Sequence, residues 1–155
     1  MTNILMIEDD PDFSLFLGEY LEKYNIDTSV NFWESTTITG SGDISIGSNT
    51  YIGKNSFLSC QKGAVLTIGM NCRISHNVHI RSASYNVKSM LEDKPDAIND
   101  DIHIGNNVWI GLNVYIKGGV SVGNGAVIGA NSVVLSDVGD NEIFAGIPAK
   151  LIKRC

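Results

Sequence analysis

Between Ile104 and Val138 the chain repeats itself every six residues, and few folds accept that period. Aliphatic residues recur at Ile104, Ile110, Ile116, Val122, Ile128 and Val134. Glycine follows four of them, at Gly105, Gly111, Gly123 and Gly129. A small or β-branched residue stands four places on, at Val108, Val114, Val120, Ala126, Ser132 and Val138. Six residues match neither a helical turn nor a long alternating strand. They match a parallel β-helix, in which a hexad is one short strand plus a turn and three hexads close a triangular coil. The leading aliphatic side chain then points into the prism, and glycine turns the backbone where a Cβ would clash.

The same pattern occurs earlier, with leads Ile46, Ile52 and Leu58, then Ile68, Ile74 and Ile80. Four coils are legible, and a less regular one, TTITGSGDIS, is expected before them. The longer step from Leu58 to Ile68 reads as a corner insertion around Lys62–Val65. Residues 86–103 lack aliphatic–glycine hexads, carry Pro95 and are dense in charge. They read as an excursion loop, and loops of that length inside a domain are usually functional.

The net charge of −6 argues against a nucleic-acid partner, although Lys150, Lys153 and Arg154 make the tail locally basic. Cys60, Cys72 and Cys155 follow no metal or disulfide spacing, which suits a reducing, cytoplasmic setting, and Cys72 is expected inside the prism. The reading expects neither a leader peptide nor a membrane span.

The motifs ISHNVHIR (74–81), IGNNVWIG (104–111) and AGIPAKLIKR (145–154), with the repeats between them, resemble the hexapeptide-repeat acyltransferases from about residue 36 to 154. The pattern is similar to the galactoside, maltose and xenobiotic acetyltransferases and to the O-acetyltransferases of surface polysaccharides. The resemblance implies an all-β chain: a left-handed parallel β-helix of about five coils, with the excursion loop and a short C-terminal tail or helix. It implies a homotrimer with sites in clefts between prisms, acetyl-CoA as co-substrate, no metal, and a small-molecule acceptor offering a hydroxyl or amine.

Such chemistry needs a base for the acceptor proton and a donor to the oxyanion. The slot that holds the catalytic histidine in these families holds Tyr85 or Asn86 here, according to the alignment used. His76 and His79 are expected to project outward, and His103 stands at the return of the loop. His79 is the alternative base beside Tyr85 and Asn86, and a surface or interface role is the plain alternative for all three histidines. A γ-carbonic-anhydrase-like zinc site is not expected, because VWIGLNVYI lacks the histidine pair that such a site needs.

On the donor side the resemblance assigns Trp109, Gly111, Ala130, Lys150 and Lys153. Ala130 matches a position whose backbone meets the pantetheine arm, and the lysines match positions near the phosphates. Leu112 and Leu135–Ser136 depart from the serine and threonine–lysine frequent there. Tyr51 and His76 are the acceptor-side candidates. A catalytically silent trimeric scaffold or binding module is the competing reading.

Residues 1–30 differ from the rest, with residues 31–155 forming the repeat domain. NILMI reads as a strand, Asp10–Pro11 as a helix start, and Phe13, Phe16, Leu17, Tyr20, Leu21 and Tyr24 as one helical face. Asp27 to Val30 is a possible second strand. This β-α-β segment resembles the opening of a response-regulator receiver, with Glu8 and Asp9 at its acidic pair. It is too short for a whole receiver, and capping the open end of the β-helix is the mechanical alternative.

Overall fold

The computed structural model describes residues 4–6, 21 and 23–155. The helix expected from Asp10 onward and the acidic pair Glu8–Asp9 lie outside the described residues. The described chain winds into a three-sided parallel β-helix. Face 1 stacks Asp43–Ile46, Val65–Ile68, Ile102–Ile104 and Ser121–Val122. Face 2 stacks Asn31–Phe32, Tyr51–Ile52, Arg73–Ile74, Trp109–Ile110, Val127–Ile128 and the closing hairpin. Face 3 stacks Thr37–Thr39, Phe57–Ser59, His79–Arg81, Tyr115–Lys117 and Val133–Val134.

The register places lead over lead: Ile46, Ile68, Ile104 and Val122 on face 1, then Ile52, Ile74, Ile110 and Ile128 on face 2. Leu58, Ile80, Ile116 and Val134 do the same on face 3. All of these are buried, as are the fifth-place Cys72, Val78, Val108, Val114 and Ala126. The prism interior is one continuous aliphatic stack, and its burial is the main source of stability.

The fourth hexad place makes the corners. Asn49, Asn55, Asn71, Asn77, Asn107, Asn113 and Asn131 all hold φ between 55° and 58°. Among side-chain-bearing residues, asparagine tolerates this left-handed region best. Each turn re-aims the chain without a glycine at that place.

Several expectations change in detail. The first coil begins at Ile26, which is buried and bridges to Ile46, and it continues through Phe32 and Ile38. TTITGSGDIS therefore straddles coils one and two. Asp27 to Val30 form a turn, not a second strand: Val30 N–H donates to Asp27 O at 3.0 Å, and the Asp27 carboxylate accepts from Ser29. Ile4–Met6 pairs antiparallel with Thr37–Thr39, covering the open edge of face 3. Tyr24 is buried beneath the first coil, with its hydroxyl donating to Gly40 O.

The excursion also leaves earlier and returns sooner than 86–103. Ala83–Tyr85 pairs antiparallel with Ala97–Asn99, so the chain departs at Ala83. Ser84 therefore stands outside the prism, and Ser82 is the buried serine where the chain departs. Ile102 is already fully buried on face 1. The corner insertion is likewise a turn at Gln61–Ala64, and Val65 already belongs to its strand. The tail is extended, with Ala149–Arg154 folding back antiparallel on Glu142–Gly146 to finish face 2.

Candidate active site

The ridge between faces 2 and 3 differs chemically from the ridge between faces 1 and 2. On the latter, the third-place amides of three successive coils, at Met70, Asn106 and Asn124, are each taken up by a side chain of the next coil. Met70 N–H donates to Asn106 Oδ1 at 2.9 Å, Asn106 N–H to Asn124 Oδ1 at 2.8 Å, and Asn124 N–H to Asp140 Oδ1 at 2.7 Å. On the ridge between faces 2 and 3 the third places are Lys54, His76, Leu112 and Ala130. Lys54 N–H donates to His76 Nδ1 at 2.9 Å. Above it the sequence supplies leucine and alanine, which carry no acceptor. Among the described residues nothing accepts from the amides of His76, Leu112 and Ala130. Polar backbone groups left this way demand water or a ligand.

Gly111 belongs to this ridge for a steric reason. A Cβ there would lie 2.7 Å from Ala130 N and 3.0 Å from Ala130 Cα. Only glycine lets the fourth coil approach the fifth so closely. Ala130 itself is exposed, and Lys150 stands beside Ala145 in the hairpin just above. Gly111, Ala130 and Lys150 are thus brought together along one ridge.

Trp109 and Lys153 stand on face 2. Trp109 is 58% exposed, flanked in register by Arg73 and Val127, and Val127 leads through Ile143 to Lys153. Leu112 and Leu135 are also exposed. Lower on the same side, Trp33, Tyr51 and His76 form an edge-on aromatic cluster with centroids 6.1 to 6.4 Å apart. His76 is half-buried there, held by its bond from Lys54 N–H rather than pointing freely outward.

His79 lies just across the ridge, at the start of face 3. It is exposed, in register between Phe57 and Tyr115, with its ring 5.9 Å from that of Phe57. Its Nε2 is 3.3 Å from Asn77 Oδ1. Tyr85 ends the separate strand Ala83–Tyr85 and Asn86 follows it, both in the excursion. Tyr85 is 60% exposed. Asn86 caps a short 3-10 turn, Val87–Ser89, by accepting from Lys88 N–H at 3.0 Å, and its amide N–H donates to Asp96 O. Its side chain is engaged in shaping the loop. His103 sits on face 1, 2.9 Å from Thr67 Oγ1, away from the ridge.

One prism offers this site as a convex ridge with Trp109 on one flank and His79 on the other. Hexad spacing alone does not show the amide row or the side-chain bonds that run along it from Asn77 to Asn113 and from Asn113 to Asn131. The visible signal was asparagine at the fourth place with leucine and alanine at the third. Burial pushes the Cys60 thiol up to about 11 and raises Cys72 as well, so neither is a ready nucleophile. Among the described residues no three His, Cys, Asp or Glu side chains converge as metal ligands do.

Comparison with known proteins agrees with this geometry. Residues 43–81 match the family described as hexapeptide repeat of succinyl-transferase, and residues 101–136 match bacterial transferase hexapeptide (six repeats). The chain is similar to the polySia-specific acetyltransferase NeuO at 35% identity and TM-score 0.66, covering 84% of this chain. It spans only 57% of the length of NeuO. It is also similar to the hexapeptide-repeat acetyltransferase VCA0836 of Vibrio cholerae O1 biovar eltor, solved with acetyl-coenzyme A: 27% identity, TM-score 0.74, 94% of this chain and 79% of that one. A galactoside acetyltransferase in complex with coenzyme A matches at 27% identity and TM-score 0.67, over 95% of this chain and 73% of that one. With its hexads and its coil register, the chain is a hexapeptide-repeat parallel β-helix, similar in fold to these left-handed β-helix acetyltransferases.

Proposed function

We propose that the chain is an acyltransferase that moves an acetyl group from acetyl-CoA to a hydroxyl or amine of a sugar or related small acceptor. The observation that carries this reading is the row of unclaimed amides at His76, Leu112 and Ala130. An extended pantetheine arm carries amide carbonyls that suit such a row, and a thioester oxyanion suits its end. Lys150, exposed above the row, and Lys153, exposed beside it on face 2, supply positive charge for the phosphates. Relatives solved with acetyl-CoA or CoA support the same donor.

The working form in this proposal is a homotrimer. A ridge becomes a cleft only when another prism stands against it, and Trp109 exposes a large apolar surface on its flank. His79 is the base in place of Tyr85 and Asn86, because Asn86 does not titrate and its carbonyl is engaged in capping. As the acceptor atom attacks the thioester carbon, its proton passes to His79. A ridge amide stabilises the oxyanion, the carbon–sulfur bond breaks, and the proton returns to the CoA thiolate. The Tyr51–Trp33–His76 cluster is the acceptor-side surface, since aromatic edges and faces suit a sugar ring. A cytoplasmic setting accords with three free thiols, and no helix among the described residues is long and apolar enough to cross a membrane.

The silent-scaffold reading draws on one observation: the excursion from Ala83 to Asp100 carries no histidine. Free-thiol release from acetyl-CoA across sugars and amino sugars separates the two. The transferase reading expects turnover above buffer that His79→Ala lowers at least a hundredfold. CoA binding without turnover supports the scaffold, and full turnover in His79→Ala removes this histidine from the chemistry.

A further inference from the structure

The ridge carries a second ladder, made of side chains. Asn77 Nδ2 donates to Asn113 Oδ1 at 2.7 Å, and Asn113 Nδ2 donates to Asn131 Oδ1 at 3.1 Å. The chain of amides is directional. Asn77 and Asn113 each spend their NH2 on the coil above, so the first in line, Asn77, presents its carbonyl oxygen in the other direction. That oxygen lies 3.3 Å from His79 Nε2. A carbonyl oxygen only accepts, so the imidazole nitrogen facing it must carry the hydrogen.

We propose that Asn77 is a positioning residue that holds His79 in the tautomer protonated on Nε2 and leaves Nδ1 as an open acceptor. The proposal rests on the reading of His79 as the base and adds which nitrogen takes the proton. Among the described residues Nδ1 has no partner. Phe57, with its ring 5.9 Å from the imidazole, and Tyr115 stand in register on either side of His79. The cations Arg81 and Lys117 stand two places further along the same strands, away from the asparagine ladder. The ladder works here as the carboxylate or carbonyl behind a histidine does in many sites, where the hydrogen bond at one nitrogen decides the state of the other. Its rungs are locked because every member is also a left-handed corner residue: φ is 55° at Asn77, 56° at Asn113 and 58° at Asn131.

The test is the nitrogen NMR of the assigned His79 ring in full-length protein at about pH 8.5, two units above an ordinary imidazole. In the wild type, Nε2 should show the shift of a protonated ring nitrogen and Nδ1 that of a bare one. Asn77→Gly keeps the left-handed corner and removes only the amide. In this variant the two ring-nitrogen shifts should move toward each other as the tautomers mix, and kcat should fall about tenfold with KM for acetyl-CoA unchanged. Asn113→Asp can only accept, so it keeps Asn77 in its orientation and should leave the His79 shifts as in the wild type. A hydrogen on Nδ1 in the wild type, or ring shifts unmoved by Asn77→Gly, would overturn the proposal. These readings need no turnover. Failure of the base assignment shows separately, as undiminished activity in His79→Ala.

Discussion

Adding one methyl group at Gly111 tests the link between coil spacing and donor binding. The new Cβ would stand 2.7 Å from Ala130 N, 3.0 Å from Ala130 Cα and 3.1 Å from Gly129 C, whereas ordinary contact begins near 3.4 Å. All three atoms are backbone, so no side chain can swing aside. The fourth and fifth coils must part by several tenths of an ångström at this ridge. Overpacking of this kind costs about 1 to 3 kcal/mol. For a chain of this size that lowers the midpoint of thermal unfolding by about 2 to 12 °C. Two of the three atoms belong to Ala130, whose amide ends the open row, so KM for acetyl-CoA should rise about tenfold in Gly111→Ala.

Gly47 is the internal control. It takes the same second hexad place on the ridge between faces 1 and 2, outside the open row, and a Cβ there would meet Met70 N at 2.8 Å, Gly69 C at 2.9 Å and Gly69 O at 3.1 Å. Gly47→Ala should lose comparable stability and leave KM for the donor within about twofold. Thermal melts at one fixed protein concentration and steady-state thiol release give both quantities. Equal KM effects in the two variants, or no loss of stability in either, would refute the reasoning.

Three further outcomes are expected. Ile110→Ala removes a fully buried lead stacked between Ile74 and Ile128, and should cost about 3 to 4 kcal/mol by urea unfolding, whereas Ser121→Ala on an outward place should stay within about 0.5 kcal/mol. The Cys60 thiol is pushed up to about 11 from an ordinary value near 9, so its contribution to stability is complete below pH 9 and is lost as pH rises through 11; Cys60→Ala should flatten that decline in melting temperature. Lys150→Ala and Lys153→Ala should each weaken the donor's KM by up to about fivefold, with the effect fading at high salt, because both cations are exposed.

Much of the architecture was legible because it rests on a short-range rule. Ile46, Ile68, Ile104 and Val122 stack as their spacing implied, since a lead must point inward at every coil. The limits of the excursion were not legible. Ala83–Tyr85 still alternates like a strand, but it pairs with Ala97–Asn99 outside the prism, and that partner is distant in sequence. The first coil was obscured because its leads, Ile26, Phe32 and Ile38, lack the following glycines. The tail became a strand because face 2 offered Glu142–Gly146 an open edge, which no local pattern in AKLIKR encodes.

The site was legible only in parts. Trp109, Gly111, Ala130 and Lys150 could be placed by motif, and the structure sets them on or beside one ridge. The ladder linking Asn77, Asn113 and Asn131 depends on coils separated by up to 36 residues in sequence and was invisible to hexad counting. The capping role of Asn86 depends on the folded loop, which brings Lys88 N–H to its side chain and Asp96 O to its backbone N–H.

The most direct measurement is the backbone amide NMR spectrum of the assembled protein during titration with CoA. Saturable shifts should concentrate at His76, Leu112 and Ala130, with smaller ones at Trp109 and Lys150. Saturation that instead moves Thr67, His103 and Ser121 on face 1, or no binding at millimolar CoA, would contradict a donor site on this ridge.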